Sequence, residues 1–115
     1  MDIIKSSTDI SDLFSRGRRI HTPNITLIVS TKECGRLDSP SGRVAFVAGK
    51  KNGNAVWRNG AKRRMREICR QQNLHQKGVD IVFLAKPGIL KAPFFKVFDD
   101  VQRVSSRIER RNNEN

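Results

Sequence analysis

Acidic residues are scarce in this chain: 11 Asp and Glu stand against 23 Lys and Arg, leaving a net charge of +12 over 115 residues. The few acids fall mostly in loops or terminal segments, and no Asp/Glu/His cluster falls at a strand end. Metal-assisted phosphodiester cleavage wants carboxylates converging on an ion, and acid–base cleavage usually wants a His with a partner. Catalysis by the polypeptide alone is therefore not expected. Cysteine is as sparse. Cys34 and Cys69 lie 35 positions apart with no C-x-x-C, and His21 and His75 are scattered, which excludes a recognisable zinc pattern. Two free thiols are expected, Cys34 in a loop and Cys69 on a helix. No apolar run approaches the roughly 18 residues of a membrane span. The start, MDIIKSSTDISDLF, lacks the basic-then-apolar pattern of a secretion signal. A cytoplasmic location with no membrane partner is the expectation.

What the chain does have is focused positive charge. From Arg43 to Arg70 there are nine Lys/Arg and one acid, Glu67, so this quarter of the sequence carries +8 of the +12. The spacing predicts a helix over about 55–72, capped by Asn54 and free of proline. On a helical wheel Trp57, Ala61, Met65, Ile68 and Cys69 share an apolar face, and Asn59, Lys62, Arg63, Arg66 and Arg70 share another. Arg58 falls near the edge of the apolar stripe, and Arg64 lies on the far side beside Trp57. A merely solvated face would interleave acids with bases, because like charges at i,i+4 repel by a few tenths of a kcal/mol. Lys62, Arg66 and Arg70 form such a ladder, so an anionic partner is expected, and nucleic acid is the commonest polyanion.

At 37% hydrophobic the chain reads as one globular domain over residues 1–108 with a polar tail at 109–115. Thr8 or Ser11 is a candidate cap for a short first helix carrying Ile10, Leu13 and Phe14 and ended by Gly17. Strands are predicted at 18–22, 25–31 (ITLIVST), from Arg43 (RVAFVA) and at 79–85 (VDIVFLA), with a turn-rich loop at 32–42. The last strand is almost continuously apolar, which suits a sheet centre. Pro93 opens a final helix with Phe94, Val97, Val101, Val104 and Ile108 in register. The order αβββαβα predicts an open, single-domain α+β sandwich with a sheet of about four strands.

The block RVAFVAGKKNGNAVWRNGAKRRMRE, 25 residues from Arg43 to Glu67, resembles the signature of the bacterial ribonuclease P protein subunit. Weaker agreement extends to LFSRGRR at 13–19 and to the turn at Lys86–Gly88. The resemblance implies a left-handed crossover, against the right-handed norm. It implies that Lys50, Lys51, Arg58, Asn59, Lys62, Arg63 and Arg66 dock on the catalytic RNA, with the wheel adding Arg70, and that Gly53, Ala55 and Val56 shape the turn and seat the helix. It also implies that the RNA holds the active site and its Mg2+, with no cofactor bound by the protein, which pairs with that RNA 1:1 and binds the 5′ leader of precursor tRNA. The leader cleft would lie on a sheet face beside the first helix, with Phe14 as an aromatic contact and Ile10 and Ile28 where aromatics are frequent. Gly60 stands in place of the second Arg of the family's Arg-Asn-Arg triplet. Charge and size alone fit an rRNA-binding ribosomal protein as well; the Lys-Lys, Ala-Val, Arg-Asn, Lys-Arg, Arg-Glu spacing favours ribonuclease P.

Overall fold

Ser6 starts the first helix: its hydroxyl accepts from the Asp9 backbone N–H at 3.2 Å, placing α1 at Ser7–Arg16. The cap is thus neither Thr8 nor Ser11, both of which lie inside α1; capping by Ser6 puts the Asp9 carboxylate in the first turn, where the helix dipole favours it. Gly17 ends α1 as expected. A Cβ there would lie 2.6 Å from the Leu13 carbonyl oxygen and 2.7 Å from Ile28 Cγ2, so the helix turns into the sheet with no room for a side chain. The computed structural model describes residues 1–31, 34 and 42–108. Most of the predicted 32–42 loop and the 109–115 tail lie outside the described residues.

The remaining elements are β1 (Arg18–His21), β2 (Ile25–Val29), β3 (Val44–Val47), α2 (Ala55–Gln71), β4 (Ile81–Ala85) and α3 (Phe94–Val104). One four-stranded sheet has the order β1-β2-β4-β3, antiparallel except for the β3–β4 pair, which is parallel and joined through α2. The VDIVFLA strand is interior, as its apolar run predicts. Pro93 sits one position before α3, and Ile108, beyond the helix, is still buried. Asp2 and Ile4 exchange backbone hydrogen bonds with Val44, so the N-terminal segment runs along the outer edge of β3.

Strand alternation divides the core into two layers. On one face, Ile20, Leu27, Phe83 and their neighbours pack under α2 and α3, whose Ala61, Met65, Ile68, Cys69, Val97 and Val101 are buried. On the other, Ile28, Val82 and Ala45 pack under α1, whose only fully buried side chain is Leu13. Burying one leucine contributes about 2 kcal/mol, so apolar packing holds α1 far less firmly than it holds α2.

Candidate nucleic-acid interface

α2 follows a 3-10 turn at Lys50–Asn52, and the Asn54 side chain accepts from the Trp57 N–H at 3.0 Å, capping the helix as the sequence predicts. Gly53 makes that junction possible: a Cβ there would sit 2.7 Å from the Trp57 side chain, which folds back over the turn and packs against the core. The buried face is the predicted one. Asn59, Arg63, Arg66 and Arg70 are exposed, while Lys62 and Arg58 are half-buried.

The cations on this face are not equivalent. Among the described residues Lys50, Lys51, Lys62 and Arg63 make no ion pair. Arg66 leans on Phe46, its guanidinium carbon 5.4 Å from the ring centroid, which fixes its stem while leaving its charge at the surface. Arg58 donates to the Gly53 carbonyl and braces the turn. Arg70 pairs with Glu67, which raises the Arg70 pKa; Glu67 also accepts from Gln71, and the hydrogen bonds from Arg70 and Gln71 hold its carboxyl below its usual range. The last rung of the repelling ladder is therefore neutralised inside the protein.

Two arginines in the basic segment serve the fold. Arg64 donates to the carbonyls of Ile89 and Ala92 at 2.8 and 2.7 Å and covers Phe94, tying α2 to the turn before α3. Arg43 is buried. Its guanidinium donates to Asp80 at 3.2 and 2.6 Å and to Asp9 at 3.2 Å, and hydrogen bonding to Asp80, outweighing desolvation, raises its pKa. Arg43 must be removed from the surface charge that the sequence assigns to this segment.

Val56 corrects a second expectation. It does not seat the helix: its side chain is 79% exposed on the same face as Asn59 and Arg63, and Ala55 is exposed too. The seating role is implied by the family resemblance alone, which carries no information on which way the side chain faces. Gly60 faces Leu90, and an open notch of about 400 Å³ there is lined by Gly60, Arg63, Arg64, Glu67, Leu90 and Phe94.

The second candidate region is the sheet face beside α1. Strand register gives it two rows: Arg19, Ile28, Val82 and Ala45 next to α1, then His21, Thr26, Leu84 and Val47 beyond it. Ile28 has no exposed surface, because the α1 end and Gly17 cover it. Of Ile10, Phe14 and Ile28, only the first two present any surface. The half-buried Leu84 and Val47, with exposed His21 hydrogen-bonded to Thr26 at 3.2 Å, make the more open floor, which near-uniform apolarity in β2 and β4 concealed from sequence reading. Arg19 covers the Phe14 ring at 5.7 Å and donates to its carbonyl at 3.0 Å.

Among the described residues no group of three or more His, Cys, Asp and Glu is placed to hold a metal, and no helix is long and apolar enough to cross a membrane. Both cysteines are free and buried, and burial pushes the Cys69 thiol up to about 11.

A family model described as Ribonuclease P matches residues 2–109. The ribonuclease P protein component of Gluconacetobacter diazotrophicus is 33% identical over 102 residues, covering 87% of this chain and 84% of that relative. The corresponding component of a Nitratiruptor species is 31% identical over 108 residues, covering 94% and 93%. Among solved structures, the Staphylococcus aureus RNase P protein superimposes with a TM-score of 0.76 at 20% identity, covering 93% of this chain and 94% of that one. The Thermotoga maritima RNase P protein gives 0.74 at 23%, covering 95% and 99%. At those identities the structural likeness concerns the fold.

Proposed function

The chain belongs to the bacterial ribonuclease P protein family, a protein component of the ribonucleoprotein that processes tRNA 5′ ends, and on that premise we propose how its two surfaces divide the work. The protein associates with the ribonuclease P RNA, which sets aside the ribosomal alternative. Lys50, Lys51, Asn59, Lys62, Arg63 and Arg66 grip the phosphate backbone of that RNA, with Arg58 shaping the turn beneath them and Arg70, exposed but answered by Glu67, at the edge of the footprint. The observation that carries this reading is the set of surface cations on α2 and its preceding turn that have no acid partner among the described residues. Each phosphate contact releases condensed counterions, so binding falls steeply with salt.

The rows beside α1 receive the 5′ leader of precursor tRNA, with Phe14 and Ile10 as one wall and Leu84, Val47 and His21 as the floor. Ile28 supports that wall from beneath. The RNA supplies the catalytic centre and its Mg2+; the protein, bound 1:1, lowers the electrostatic cost of bringing two polyanions together. Reconstitution tests this: added to a cognate catalytic RNA at low magnesium, the protein stimulates 5′ maturation of precursor tRNA, while the polypeptide alone cleaves nothing. Cleavage by the RNA-free polypeptide would overturn the division. In the reconstituted enzyme Phe14→Ala weakens binding of precursor tRNA about fivefold or more relative to mature tRNA, the low end of what one lost base–ring stack costs. Equal weakening of both would remove the cleft.

A further inference from the structure

Arg43 lies where three strand ends meet the first turn of a helix with a single fully buried side chain. Its backbone N–H donates to Asp80 Oδ1 at 3.1 Å and its guanidinium to both Asp80 oxygens, while the Asp80 N–H donates to Ser30 Oγ at 3.0 Å and the Ser30 N–H to the Asp80 carbonyl at 2.9 Å. Ser30, Arg43 and Asp80 thus lock the ends of β2, β3 and β4 into one rigid base, buried throughout. From that base Arg43 Nη1 reaches out to Asp9 Oδ2 at 3.2 Å, a carboxylate 38% exposed in the first turn of α1. At the other end of the helix Arg19, on β1, donates to the Phe14 carbonyl. Between the two ties only Leu13 is fully buried.

A helix with one fully buried anchor, flanked only by the half-buried Ile10 and Phe14, can roll about it. The Asp9 tie opposes that roll at one end as the Arg19 tie does at the other, and Ile10 and Phe14 lie between them on the turns whose exposed edges form the wall of the cleft. We infer that Asp9 is a positioning residue for the 5′ leader: through Arg43 it sets the roll of α1, and so the place of Phe14 and Ile10 over the sheet floor, without itself contacting RNA. This inference rests on the leader-cleft reading above.

The test compares Asp9→Ala, Asp9→Glu and Phe14→Ala in the reconstituted holoenzyme, measuring affinity for precursor and mature tRNA alongside the salt dependence of RNA-subunit binding. Asp9→Ala is expected to lose about fivefold in the preference for precursor over mature tRNA, comparable to losing one stacked base. Mature-tRNA affinity and the salt dependence, which report a folded protein docked through α2, stay unchanged. Asp9→Glu, which keeps the charge and can still reach Arg43, restores most of the preference. If Phe14→Ala abolishes the preference while Asp9→Ala leaves it intact, the positioning role is overturned and the cleft stands. If neither variant changes it, both fail. A parallel loss for precursor and mature tRNA in Asp9→Ala would reduce the tie to a general structural contact and also overturn the inference.

Discussion

The two faces of the sheet are held by different means. Among the described residues, 19 buried residues make the larger core layer under α2 and α3, whereas the layer under α1 has six. Where packing suffices, side chains on the outer face of the helix are released from structural duty, and α2 presents Lys62 and Arg63 without ion pairs among the described residues. Where packing is thin, arginines take over the holding: Arg43 and Arg19 tie α1 down at its two ends. The same residue type therefore does opposite jobs on the two faces of the sheet. On α2, apolar packing fixes the backbone and leaves Lys62 and Arg63 available to a polyanion.

The sharpest way to break this contrast is to remove one cation of each kind. Arg43→Ala removes the guanidinium that donates to both oxygens of the fully buried Asp80, and urea unfolding is expected to show a loss of about 3–5 kcal/mol. A loss below about 1 kcal/mol would mean that Arg43 is no more structural than a surface cation. Lys62→Ala should instead unfold at the wild-type urea midpoint. Its effect falls on RNA: the log–log dependence of binding on salt is expected to become shallower by about 0.7 to 0.9, the contribution of one neutralised phosphate. Titration by filter binding at several salt concentrations reads this directly, and an unchanged slope would take Lys62 off the interface.

The smallest expected effect concerns Gly60, on the boundary between the cationic face and the notch. Replacing a helical glycine with alanine gains about 0.5 to 1 kcal/mol in backbone terms. The new Cβ would meet Leu90 Cδ1 at 3.0 Å, the far end of a flexible side chain that can give way. Thermal unfolding of Gly60→Ala should therefore show a modest gain of about 0.5 kcal/mol, with RNA affinity unchanged. A destabilised variant would show instead that Leu90 cannot move and that the notch is a packed joint.

Local signals made most of the fold legible. Asn54 before a proline-free amphipathic stretch gave α2 its start and its buried face, and the apolar run ending at Ala85 identified an interior strand, because both depend on neighbours in sequence. What sequence alone missed depends on partners far along the chain. Arg43 looks like one more cation until Asp80, 37 positions away, folds against it. Ile28 looks like cleft surface, since a strand buried on both faces carries no alternation to reveal that α1 covers it. Val56 is apolar yet exposed, and composition cannot distinguish a residue that packs inward from one left facing outward beside Asn59 and Arg63.

The short N-terminal pairing along β3 has a consequence for the protein before it meets its RNA. An unpaired strand margin invites another chain to add to the sheet. Here Asp2 and Ile4 already occupy the backbone groups of Val44, and the opposite margin, β1, is only four residues long and carries two arginines. Both margins thus carry the features that discourage one copy's sheet from extending onto another's.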